Sequence, residues 1–160
     1  MTVLMVLSMI AMDQTKSIDM MMDHCTPLLD YPAYHADAKI HFYSSDMIIN
    51  IHSDASYLSD GQACSPICGH FFMGWLPNDG EQIRINGEFH VSTNAIHFFV
   101  VFAAEAELGA LFHNCHMGII LCSILKDMGH SQPKTPVHCD NTMAIGIANS
   151  TVKLQHSHLM

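Results

Sequence analysis

The sequence predicts an α/β domain built on a mixed sheet, in the order three antiparallel strands, a long helix, a parallel strand and a short helix. Two stretches alternate with the period of two that marks a strand, MIINIHSDASY (47–57) and QIRINGEFHV (82–91). A third, from Ala104 to Leu125, steps by three and four like a helix. The short apolar run Pro136–Cys139, followed at once by a capping residue, supplies the βα unit that a parallel strand requires.

Before the organising strand, Ser17 is placed to cap a short helix. Pro27 and Pro32 each remove a helical hydrogen bond, so Thr26–Tyr34 is expected to be a broken helix. Ala38–Tyr43 alternates weakly as an edge strand, and Ser44–Asp46 turns. Met47–Tyr57 then puts Ile49, Ile51, Ser53 and Ala55 on one face and Ile48, Asn50, His52 and Asp54 on the other. Leu58–Gly69 is expected to be loop, since it holds Gly61, Pro66 and Gly69. His70–Leu76 and Gln82–Val91 flank Pro77-Asn78-Asp79-Gly80 as a hairpin, with Ile83, Ile85, Phe89 and Val91 on the apolar side of its second arm.

After an apolar piece at Ile96–Phe102, the helix carries Ala104, Leu108, Leu111, Cys115, Ile119, Cys122 and Leu125 as its expected buried stripe, and Gly129 stops it. Asn141–Asn149 reads as a short helix capped by either Asp140 or Asn141.

At 160 residues and 49% hydrophobic content the chain can bury a core as one globular unit. Six Lys and Arg stand against fifteen Asp and Glu, a formal charge of −9, which repels phosphate backbones. The six cysteines follow no convincing secretory leader, because MTVLMVLSMIAM lacks a basic start, so free thiols in an intracellular protein are expected. His, Glu, Asn and Lys interrupt the richest apolar runs, so no membrane partner is expected.

Three acidic residues fall where α/β proteins gather ligands: Asp54 at the end of the first core strand, Glu107 one turn into the long helix, and Asp140 at the end of the parallel strand. Each alone reads as a cap, a turn or a solvated charge. Converging, they would be hard oxygen ligands for Mg²⁺ or Mn²⁺, and paired ions about 4 Å apart suit phosphodiester hydrolysis.

The segments HSDASYLSD (52–60), AAEAELGAL (103–111) and VHCDNTMAIGIAN (137–149), in that order, resemble the ribonuclease H domain of copia-type LTR retrotransposon polyproteins, from about Leu28 to Lys153. The resemblance implies a ribonuclease H-like sheet, metal-dependent cleavage of RNA in RNA/DNA hybrids, and Asp54, Glu107 and Asp140 as the residues holding Mg²⁺ or Mn²⁺. Glu105 competes with Glu107, but residues two apart on a helix point in different directions, and Glu107 precedes the matching Leu-Gly-Ala-Leu. TPLLDYPAYHADA (26–38) looks like the family's link from polymerase to this domain, which divides the chain into an extension (1–25), a connection remnant (26–40) and the domain (41–160).

The chain departs from the family's pattern in three ways. The fourth acidic residue and the final strand and helix would lie beyond Lys153–Met160, so the domain is expected to lack its C-terminal elements and to self-associate through uncovered apolar surface. Phe102 and Ala103 replace the usual Ser before the helix, and the only Arg is Arg84. Weak or absent activity on the hybrid is therefore the expectation, with an inert interaction module as one alternative. Another is a transition-metal protein, for which Cys64, Cys68 and His70, or His113, Cys115 and His116, are the available soft ligands.

Overall fold

The computed structural model describes residues 6–7, 10–11, 18–57, 65–78, 80–96 and 100–151. The chain divides into two compact units, Met1–His41 and Phe42–Met160. The predicted cap Ser17 and the hydrophobic first five residues lie outside the described residues.

In the first unit, α1 spans Ile18–Tyr34 without interruption, although Pro27 and Pro32 lie inside it. This corrects the expected break. The Thr26 hydroxyl donates back to the Met22 carbonyl at 3.0 Å, a contact that bends a helix just where Pro27 needs room. Pro27 is exposed, so water can serve the carbonyl it leaves unpaired.

The second unit is a four-stranded sheet in the order β3-β2-β1-β4, with β1 at Ile48–Ala55, β2 at Pro66–Gly74, β3 at Glu88–Ala95 and β4 at Val137–His138. β1 pairs antiparallel with β2 and parallel with β4, and β2 pairs antiparallel with β3. The predicted class of mixed sheet is therefore present, with the long helix α2 at Ala103–Asp127 and the short helix α3 at Thr142–Ala148 in their predicted places. Between the two alternative caps, Asn141 is the one used: its side chain accepts from the N–H groups of Met143 and Ala144, both at 3.0 Å. Gly129, at φ +90, ends α2 as predicted, in a left-handed conformation that a side chain would strain.

Three local expectations fail for definable reasons. Ala38–Tyr43 forms no strand, because the backbone of Tyr43 pairs with a side chain instead: its N–H donates to Asn86 Oδ1 at 2.7 Å and its carbonyl accepts from Asn86 Nδ2 at 2.9 Å. The same amide donates to the Met73 carbonyl at 2.6 Å, so Asn86 is buried while Ile85 and Phe89 are exposed, the reverse of the expected alternation. The second hairpin arm therefore begins only at Glu88, and Phe89 is the extra residue of a bulge opposite Phe71 and Phe72. Asn78 and Glu81 still close a turn through Glu81 N–H to the Asn78 carbonyl at 2.9 Å, but the described residues between Trp75 and Gly87 form no ladder. Pro66–Gly69, expected as loop, opens β2, where proline costs no ladder bond at the first strand position.

The helix stripe is also displaced. Ala106, Glu107, Ala110, Asn114, Gly118 and Leu125 face the sheet, while Ile119 is 65% exposed and Phe112 78% exposed. Small residues win the inner face because α2 lies very close to the strands: a Cβ on Gly118 would come within 2.6 Å of Ile51 Cδ1. On length and hydropathy α2 could cross a bilayer, while the face it packs on the sheet holds the polar side chains of Glu107 and Asn114.

Two clusters fill the space between helix and sheet, Ile49, Ile51, Phe71 and Leu125 at one end and Ile67, Ile96, Val100, Ala106 and Ala110 at the other. Asn114 joins them, donating to Ser53 Oγ and to the Cys68 carbonyl, both at 2.9 Å. Gly69 sits under that amide, where an added Cβ would strike Asn114 Oδ1 and lie 2.8 Å from Phe71 Cε2. Gly69→Ala is expected to lower stability by about 2–3 kcal/mol through overpacking, measured by urea unfolding. A variant as stable as the parent would show that the helix is free to lift from the sheet.

Candidate metal centre

The ends of β1 and β4, which run parallel, meet the first turns of α2, and this fixes the candidate site. Phe102 starts α2 without a side-chain cap, and Glu105 turns backward so that its Oε2 accepts from the Val101 N–H at 2.8 Å. Glu105 is thereby committed to the helix start. Glu107, two residues on, turns inward and is 6% exposed. Its Oε1 accepts from the Ala55 N–H at 3.3 Å, tying helix to strand end, and its Oε2 accepts from the Cys139 thiol at 3.7 Å.

Cys139 is the residue that sequence reasoning missed. It is buried, and its sulfur, a Glu107 oxygen and an Asp140 oxygen lie within 4.8 Å of one another. The signal was present in the alternation of the strand: Val137 and Cys139 face α2, so the residue just before Asp140 had to meet whatever the helix presents.

Asp54 is half-buried and Asp140 exposed. Burial raises the Asp54 carboxyl above its ordinary value, and the nearby charge of Asp140 raises it further, against the opposing pull of the Ala55 N–H. Glu107 is also raised, first by burial and then by Asp54 and Asp140, again opposed by Ala55. The thiol of Cys139 is pushed up by burial and by Glu107. Glu107 and Asp140 thus offer oxygens to one point together with Cys139, while Asp54 stands outside that group and is felt by Glu107 and Asp140 as a nearby charge.

The donor set suits a divalent cation. The oxygens of Glu107 and Asp140, with Asp54 nearby, are hard ligands of the kind Mg²⁺ and Mn²⁺ take, and a cation would offset the burial and the neighbouring charges that raise Asp54 and Glu107. Cys139 adds one soft donor, a departure from an all-oxygen cage.

The alternative soft-ligand groupings do not assemble among the described residues. Cys64 lies outside them, and Cys68 Sγ contacts Thr93 Oγ1 at 3.6 Å. His113 Nε2 is engaged by Asn94 Nδ2 at 3.0 Å, Cys115 is half-buried with its thiol pushed up by burial, and His116 is exposed.

On the sheet face away from α2, His52 lies among other rings. Its imidazole is lowered to about 4, by burial first and then by His138 and His70. Set against known protein families, against curated proteins and against solved structures, the chain matches none of them.

Proposed function

We propose that Phe42–Met160 is a ribonuclease H-like domain in which Asp54, Glu107 and Asp140 hold Mg²⁺ or Mn²⁺ for the hydrolysis of RNA in RNA/DNA hybrids, with low turnover. The observation that carries this reading is that oxygens of Glu107, in the first turns of α2, and Asp140, just after β4, lie within 4.8 Å of one another, with Asp54 at the end of β1 near enough for its charge to act on Glu107. The order of strands and helices and the resemblance of the three segments to copia-type ribonuclease H domains support it as well.

When bound, such ions activate water and stabilise the leaving oxygen of a phosphodiester. The chain's own contribution is placement. The Ala55 N–H and the Cys139 thiol fix both oxygens of Glu107, while Asp140, being exposed, stands at the side from which a substrate phosphate would arrive. Recognition of RNA would rest on 2′-hydroxyl contacts across the minor groove. Low turnover follows from electrostatics: a formal charge of −9 with Arg84 as the only arginine gives little hold on a polyanion.

The test is cleavage of a labelled RNA/DNA hybrid in Mn²⁺, together with the thermal midpoint in Mn²⁺. Slow or undetectable cleavage is expected, with a Mn²⁺-dependent rise in midpoint that disappears in Asp140→Asn. Fast cleavage would overturn the low turnover, and a midpoint indifferent to Mn²⁺ would overturn the carboxylate site.

A further inference from the structure

Three histidines stand in a row across the sheet on the side away from α2. His70 of β2 is paired with His52 of β1, and His52 in turn with His138 of β4. Directly opposite residues leave a sheet on the same side with Cβ atoms about 5 Å apart, so the ladder itself holds three imidazoles in line. The rings of His52 and His138 lie 4.7 Å apart between centroids and nearly parallel at 28°, and those of His52 and His70 lie 6.2 Å apart. Phe72 flanks the row, 5.4 Å from His52 and 5.3 Å from His70. Glu88 Oε2 sits 3.3 Å from His70 Nε2.

Ring stacking alone would explain the contacts, since imidazoles often serve as flat aromatic filler. Two details exceed it. The Nε2 atom of His52 is out of reach of solvent and has no hydrogen-bond partner among the described residues, which is costly for a polar atom. A carboxylate beside a histidine on the next strand is also the arrangement that orients imidazoles toward metals.

We infer that His52, His70 and His138 form a binding site for a borderline divalent ion of the Zn²⁺, Cu²⁺ or Ni²⁺ class, with Glu88 orienting His70. Imidazole nitrogen is the donor these ions favour, whereas Mg²⁺ and Mn²⁺ favour the oxygens of Asp54, Glu107 and Asp140. The two sites are thus separated by ligand chemistry although they lie at the same end of β1 and β4. The three rings do not converge on a point, with His52 and His138 stacked and His70 edge-on to His52, so binding requires the rings to turn, His138 first. As the exposed member of the row, it has the room to do so. The negative charge of the whole chain favours cation entry.

Co²⁺ titration of the full chain tests this, because cobalt reports its ligands in its visible spectrum. With the carboxylate site held by excess Mg²⁺ throughout the titration, one equivalent with nitrogen and oxygen ligand-field bands is expected, without the near-ultraviolet charge transfer of a thiolate. His138→Gln and His70→Gln should each weaken binding by about tenfold or more, and Asp140→Asn should leave it within about threefold. A thiolate band, or a loss in Asp140→Asn as large as that in His138→Gln, would overturn the assignment. Unchanged affinity in His138→Gln would do so too. His138 is exposed, so that variant keeps the fold even where His70→Gln disturbs the sheet, and circular dichroism checks it. Failure here leaves the carboxylate reading intact, because Mn²⁺ and Asp140→Asn test that separately.

Discussion

Glu107→Gln is expected to stabilise the metal-free protein at neutral pH by about 1 kcal/mol, and to abolish its stabilisation by Mn²⁺. Burial and the charges of Asp54 and Asp140 raise the Glu107 carboxyl above its ordinary value. A group so raised stabilises the folded state below its unfolded pKa, and that contribution is lost as pH rises through the folded value. At neutral pH the parent therefore carries an unfavourable buried charge that glutamine lacks. Glutamine keeps an oxygen to accept from Ala55 N–H, so the helix-to-strand tie survives. One kcal/mol corresponds to about 2–4 °C in thermal midpoint for a domain of this size. Mn²⁺ at about a hundred times its dissociation constant should add ~2.7 kcal/mol to the parent and nothing comparable to the variant. Loss of stability in metal-free Glu107→Gln would show that the carboxylate is held by favourable contacts rather than against repulsion.

The second large effect is at acid pH. Stability is expected to fall as pH drops from 6.5 towards 4, with His52 the cause of about 2 kcal/mol of the loss. The imidazole is depressed from 6.5 to about 4, so the unfolded chain takes up a proton in this window that the folded chain refuses. The contribution is complete above the unfolded value and disappears as pH falls through the folded one. A fully buried imidazole so depressed would be worth about 3 kcal/mol, but His52 is only partly buried and solvent screens it. His52→Phe keeps a ring between His138 and Phe72 and cannot protonate. Urea unfolding of both proteins at pH 7.5 and pH 4.5 isolates the contribution of His52, because Asp54 and Glu107 are common to both. Equal acid losses in parent and variant would remove His52 as the cause.

What could be read from the chain, and what could not, divides along the range of the interactions. The strand Ile48–Ala55, the stop at Gly129 and the cap at Asn141 were legible because alternation, left-handed glycine and side-chain capping each act within a few residues. Their order along the chain was enough to predict a mixed sheet with one parallel strand. The candidate carboxylates were legible for a related reason: strand ends and helix starts can be located from local pattern, and Asp54, Glu107 and Asp140 sit at them.

Tertiary structure decided the rest, where a distant group outcompeted the local preference. Asn86 took the pairing that an edge strand at Ala38–Tyr43 would have used, since one amide can serve two backbones at once. The middle of the inner face of α2 went to Ala110, Asn114 and Gly118 rather than to its larger apolar residues, because the helix lies against Ile51 there so closely that even a Cβ on Gly118 would clash. Cys139 came to Glu107, and His52 to His70 and His138, only through strand register, which depends on the pairing of segments far apart in the chain. Local sequence by itself determined the strand Ile48–Ala55, the two helices of the second unit and where the acidic residues stand on them; the packing of helix on sheet and the register of four strands decided which further segments pair and which side chains meet.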